Sequence, residues 1–193
     1  QIDSLIYSDP QQALTLLQQI SLDSLSSKEE NAYYGLLLSH ASDRNERNLL
    51  PCDSLLNLAI DYYRKGFNKG RSLFYKARLL TAMGMEDEAM GYYFGSLKEF
   101  GHTPREIRFK GMVYEDLGNI YFDQAIYKEA LEKYTTALKY YSIINDKKAM
   151  IYASSMASSV CLVDSDNKKA HHFLNMEMQL AKEINDSCYI SNT

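Results

Sequence analysis

Six basic residues, Arg64, Lys65, Lys69, Arg71, Lys76 and Arg78, crowd one short span, and no acid stands between Asp61 and Glu86. Arg71 and Arg78 are seven residues apart, so on a helix they share a side, with Phe74 between them on it. Two guanidiniums beside an aromatic ring offer planar paired donors and an apolar contact. That chemistry suits a carboxylate or acidic side chain flanked by an apolar group. The alternative is a basic helix face whose charges are answered by acids elsewhere in the chain.

Other candidate chemistry fails on spacing. Gly66-Phe67-Asn68-Lys69-Gly70-Arg71 lacks the second half of a phosphate-loop pattern and follows no strand, so it reads as a turn between helices. Asp164-Ser165-Asp166-Asn167 opens like a calcium loop, but Lys169 and Asn175 stand where the turning Gly and the bidentate Glu are required. His171 and His172 are adjacent and point to different helix faces, with no Glu placed as in a zinc protease. His40 and His102 fall near predicted helix ends without a recognisable partner. Cys52, Cys161 and Cys188 make no disulfide framework; they are expected to be unpaired, and Cys52 and Cys161 read as small buried hydrophobes. No Ser-His-Asp arrangement or carboxylate pair is spaced as an active site. The sequence therefore predicts no enzyme, no cofactor and no metal.

The chain has 193 residues, 46% of them apolar, which is enough for one domain with a core. It has no Trp and only 3 Pro, so long helices are permitted. A net charge of −4 argues against a general nucleic-acid binder. No run of about 18 apolar residues suggests a membrane span. No export signal is visible at Gln1; either there is none or the sequence begins after it.

Helix signals recur along the whole chain. Asp9-Pro10 pairs an N-cap with Pro at the first helical position, opening what reads as the second helix of a pair whose first helix is absent. Ser26 with Glu29, or Ser27 with Glu30, makes a capping box for a helix through Ala41; Ser42–Asn48 reads as a loop. A partner helix starts at Cys52 or Asp53 and should end at Gly66. Then come Lys69–Met83 and Glu86–Phe100, and a strong start at Thr103-Pro104-Arg105-Glu106. The last pair is Lys147–Val163 and Lys168–Ile184, and Ser187–Thr193 reads as the opening of a further helix. Ala13, Cys52, Ala89, Ala130 and Ala170 recur at steps of 39, 37, 41 and 40 residues, each with a large apolar residue four later.

Between Met112 and Tyr141, Tyr114, Leu117, Gly118 and Tyr121 share one helix face, and Ala130, Tyr134, Ala137 and Leu138 share another. Gly118 and Ala130 would let two helices approach, with Tyr121 and Tyr134 beside them. This stretch resembles a tetratricopeptide repeat (TPR), with Ser142 in place of the closing Pro. The resemblance implies an all-α, TPR-like α-solenoid of antiparallel helix pairs winding as a right-handed superhelix. It implies one domain over residues 1–193, cut mid-repeat at both ends, with pairs at roughly 26–66, 68–100, 103–145 and 147–185. It further implies that first helices line a concave groove, to which Arg71, Phe74, Arg78, Glu115, Asn119, Phe122 and Tyr152 would contribute. Asn119 could bond a peptide backbone with both donor and acceptor, but Glu115 stands where a carboxylate clamp has Lys. Against a groove role, Arg71 and Arg78 could instead pair with acids of neighbouring repeats, Glu115 being the first suspect.

Residues 9–141 also resemble, more narrowly, the N-terminal sensor region of Bacteroides-type regulators, through Asp9-Pro10, Ala13-Leu14, Tyr34, Leu36-Leu37-Leu38, Asp53-Ser54-Leu55-Leu56 and Tyr62-Tyr63. That implies a peptide- or protein-binding module in a signalling or transcriptional regulator. It also implies a periplasmic or membrane-anchored location through a lipoprotein or export signal and a span outside this sequence, with the cytoplasm as the alternative. No nucleic acid is expected to bind this segment directly, and an oligomer is allowed. Competing expectations are an assembly scaffold with no groove ligand, and a glycan-binding surface built on the 16 Tyr.

Overall fold

Local capping chemistry sets most helix starts in the computed structural model, which describes residues 2–190 and their side chains as far as residue 185. Asp9 accepts the Gln12 N–H at 2.9 Å and Pro10 takes the first helical position. Ser27 and Glu30 close a reciprocal capping box, as do Thr103 and Glu106. Each box satisfies two backbone donors that a helix start would otherwise leave orphaned. Asp146 accepts the Ala149 N–H in the same way.

The chain divides into two units, residues 1–101 and 102–193. The first holds α1 (Ile2–Ser8), α2 (Pro10–Gln18), α3 (Lys28–Arg44), α4 (Asp53–Tyr62), α5 (Phe67–Ala82) and α6 (Glu86–Glu99). The second holds α7 (Pro104–Asp123), α8 (Tyr127–Ile143), α9 (Lys147–Val163) and α10 (Asn167–Ile190). No strand occurs among the described residues. The main contacts join α1 to α2, α3 to α4, α5 to α6, α7 to α8 and α9 to α10, and each pair packs on the next within its unit. The architecture is a TPR-like stack of antiparallel helix pairs.

The turns inside four pairs close the same helix end in the same way. After α3, α5, α7 and α9 the chain enters the left-handed region at Glu46 (φ 54°), Gly84 (φ 73°), Ala125 (φ 59°) and Ser165 (φ 60°). The N–H groups of Arg47, Met85, Ile126 and Asp166 reach back to the carbonyls of Ser42, Leu80, Tyr121 and Cys161. These bonds satisfy carbonyls at the helix end. Only one of the four positions carries the glycine that such a backbone favours.

Several boundaries differ from the sequence reading. Residues 2–8 form α1, so the first pair has its leading helix. The helix α3 runs on to Arg44, taking up the first three residues of the expected loop, and Asn45 holds its end by donating to the carbonyls of Ala41 and Pro10. Gly66 does not end α4, which stops at Tyr62; its φ of 86° instead places it as the N-cap of α5, where its N–H bonds Glu99 at 2.7 Å. No Gly or Pro interrupts residues 184–190, and α10 continues through Ile190 where a new helix was expected. Cys52 and Cys161 are buried free thiols, as expected; the Cys188 side chain lies outside the described residues.

In the second unit the helix seam depends on glycine. A Cβ on Gly118 would lie 2.7 Å from Cε1 of Tyr134, and a Cβ on Gly111 would run into the ring of Tyr141. Both rings are buried in a cluster with Ala130, Ala137, Ala153, Ala157 and Phe173. Alanine at Gly118, acceptable on helix propensity alone, is therefore excluded by packing. Gly118→Ala should destabilise by about 1–3 kcal/mol, the range for overpacking. Gly91→Ala on α6, where a Cβ meets nothing within 4 Å, should be neutral or stabilise by roughly 0.5–1 kcal/mol. Urea melts of both variants check this; equal midpoints would mean that the α7–α8 seam is looser than described.

Candidate functional site

Four of the six basic residues, Lys69, Arg71, Lys76 and Arg78, lie on α5 and reach partners on other helices, whereas Arg64 and Lys65 precede it and are exposed. Arg71 is 1% exposed and Phe74 is fully buried, so neither forms the open groove wall expected of them. The Arg71 guanidinium donates to Asp3 on α1 at 2.9 Å and to His40 Nδ1 on α3 at 2.9 Å. Arginine can only donate, so Nδ1 accepts and the imidazole carries its proton on Nε2. Tyr7 meets the His40 ring edge-on at 5.1 Å, and Tyr75 stacks on it at 5.5 Å. Burial pushes the Tyr75 phenol well above its ordinary range.

Arg78 sends one nitrogen to both carboxylate oxygens of Asp43, each at 2.8 Å, and lies 4.7 Å over the Phe74 ring. Lys76 pairs with Asp53 and Lys69 donates to the Ile60 carbonyl. The two arginines therefore pair with acids of neighbouring helices, and those acids are Asp3 and Asp43. Sequence reasoning missed them because one lies on α1 and the other at the end of α3, in a run read as loop. The expected preference for an acidic ligand loses its two cations to these partners. His40 proves to be a buried partner of Arg71.

The second unit presents a different surface. On α7, Glu115, Asn119 and Phe122 follow each other at helical spacing and are half-buried. The Tyr141 hydroxyl donates to Glu115 at 2.9 Å and the Tyr134 hydroxyl to Asn119 at 2.7 Å. The two rings that fill the glycine seam thus end on the polar groups of α7. With its oxygen accepting from Tyr134, the Asn119 amide keeps its N–H2 for donation. On α9, Tyr152 is 46% exposed, and Leu162 is also exposed. Phe122 packs beside Tyr127 at 5.9 Å and against the core cluster that α9 shares.

Electrostatics place these groups together. Burial raises the Tyr134 phenol well above its ordinary value, and the neighbouring Tyr152, Asp123, Glu115 and Asp116 raise it further. The phenol of α8 thus lies between acids of α7 and Tyr152 of α9, in negative surroundings. Of the residues singled out from the sequence, Glu115, Asn119, Phe122 and Tyr152 are gathered by the second unit; Arg71, Phe74 and Arg78 belong to an internal network of the first.

Neither thiol is poised for chemistry, since burial is the main cause raising both Cys52 and Cys161 above the ordinary thiol range. Among the described residues no group of three or more His, Cys, Asp or Glu could hold a metal ion, and no helix is long and apolar enough to cross a membrane.

No family model and no curated protein matches the sequence. Solved structures do match the fold. BtubC (BKLC) from P. vanneervenii aligns with a TM-score of 0.71 at 17% identity, over 93% of this chain and 73% of that one. The apo form of RapI aligns at 0.70 and 15% identity, over 95% of this chain, which spans 52% of RapI. The nearly identical TPR-like repeats of a kinesin light chain from Podosopora anserina align at 0.62 and 14% identity, over 95% and 92% of the two chains. At these identities the likeness establishes a TPR-like fold.

The raised Tyr134 phenol makes stability depend on pH in a defined direction. Its ordinary value is 10.0, and the folded value is higher. The contribution is therefore complete below about pH 10 and is lost as pH rises from there toward the folded value, because the unfolded chain gives up the proton first. Tyr134→Phe should flatten the fall of melting temperature on the alkaline side of pH 10. Parallel profiles for parent and variant would show that this phenol titrates normally.

Proposed function

We propose that this chain is a non-enzymatic repeat module that binds a protein or an extended peptide along α7 and α9. The observation that carries the reading is the pair of tyrosine hydroxyls from α8 that hold Glu115 and Asn119 in place beside exposed Tyr152. Fixing polar side chains through buried partners lowers the entropy lost on binding. The amide N–H2 of Asn119 suits a backbone carbonyl of the ligand, and Glu115 suits a positive or donor-bearing side chain. Phe122, Tyr152 and Leu162 suit apolar ones. The TPR-like fold supports an interaction role by analogy only.

We further propose that the module serves as the sensor or interaction region of a larger bacterial regulator, in a periplasmic or membrane-anchored setting. This extension rests on the sequence resemblance of residues 9–141.

Screening a positional-scanning library of extended peptides by fluorescence anisotropy tests the groove. Enriched peptides should carry a Lys or Arg beside an apolar residue. Tyr152→Ala should weaken them by more than about 1 kcal/mol with little change in melting temperature, because the side chain is half exposed. Enriched peptides that bind the variant as well as the parent would remove α9 from the site. A stable oligomer with no peptide enriched would favour an assembly scaffold.

A further inference from the structure

In the first unit a separate cavity of about 480 Å³ lies between α2, α3 and the short 3-10 turn Leu50–Cys52. Its volume is in the range of small-ligand sites. Leu14, Leu38 and Pro51 give it apolar walls. Gln11, Gln18, Asn48 and Arg47 bring polar groups to it, and no Asp or Glu lines it. Arg47 has no ion pair among the described residues, unlike Arg71 and Arg78. The backbone brings the residue to the cavity. Glu46 adopts a φ of 54°, uncommon for a side-chain-bearing residue, and the Arg47 N–H then reaches the Ser42 carbonyl at 2.9 Å. Asn48 uses its amide oxygen to accept the Leu50 N–H at 2.8 Å, which leaves its N–H2 to donate. At the floor, Tyr34 and Ser42 adjoin the buried Cys52.

We propose that this cavity binds a small organic acid, its carboxylate held by Arg47 with help from the Asn48 and glutamine amides, and its aliphatic body against Leu14, Leu38 and Pro51. A single guanidinium with neutral amides matches one carboxylate in charge and in planar geometry. A phosphate would call for more positive charge than the cavity offers. The site uses none of the residues of the α7–α9 groove, so the two proposals stand or fall separately.

Isothermal calorimetry of the whole chain with pentanoate, and with uncharged pentanamide, tests it. Pentanoate should bind saturably and pentanamide about tenfold more weakly or worse, since the charge-assisted pair is lost. Arg47→Gln should weaken pentanoate about tenfold or more, and Arg47→Lys should recover part of the loss by keeping the charge without the fork. Arg47 is exposed, so both variants should melt with the parent. No saturable binding of pentanoate up to about 10 mM, a concentration that would still reveal weak affinity, would overturn the proposal. Equal affinity of Arg47→Gln and the parent would overturn it too.

Discussion

A guanidinium removed from water needs partners wherever it ends up, and Arg71 is almost wholly buried. Asp3 and His40 answer one of its terminal nitrogens, and in doing so they tie α1 and α3 to α5, while its buried Nε has no hydrogen-bond partner among the described residues. The neighbouring cations repeat the device: Lys69 and Lys76 reach α4, and Arg78 reaches α3. This gives the acid-free span of α5 a structural reason. Its counter-charges lie on helices that precede it in the chain. Such a network contributes register more securely than net stability, because desolvation offsets much of the Coulombic gain. In this unit the consequence is that Arg71 and Arg78 are taken up by internal pairs.

Both units use glycine seams, Gly35 facing Leu55 and Gly70 facing Phe100 in the first, but the second joins them to polar groups. Glycines on α7 admit tyrosine rings from α8, and the ring hydroxyls emerge beside Glu115 and Asn119. Core packing and site geometry therefore share the same side chains. A change that shifts Tyr134 or Tyr141 would loosen the seam and release the polar groups of α7 together. Close-packed interiors transmit such strain because they have little free volume to absorb it.

Much of this was legible in the sequence, for physical reasons that differ by feature. Capping boxes at Ser27 and Thr103 are contained within four residues, so they can be read directly. Ala89, Ala130 and Ala170 occupy crowded helix contacts, and all three are buried as their recurrence implied. The charge network was illegible because its partners are remote, Asp3 lying 68 residues from Arg71 and Asp43 lying 35 from Arg78. Seven-residue α1 is too short to show a periodic pattern, and it supplies one of those partners. Gly66 was placed at the wrong end of its turn, since a left-handed glycine can close one helix or open the next. Gly118 was recognised as a close approach, but only the structure shows that a ring, leaving no room for a methyl group, fills the space.

Asp3, 20% exposed, and the buried Arg71 form a coupled pair that fixes α1 on the first unit. A double-mutant cycle on unfolding free energy, with Asp3→Asn, Arg71→Met and the double variant, measures that coupling directly. If the pair is as described, Asp3→Asn leaves a buried charge poorly answered and costs about 2–4 kcal/mol. The double variant should then recover more than about 1 kcal/mol relative to the sum of the single changes. Strict additivity would mean instead that Arg71 does not depend on Asp3 and that α1 is held by its apolar contacts alone.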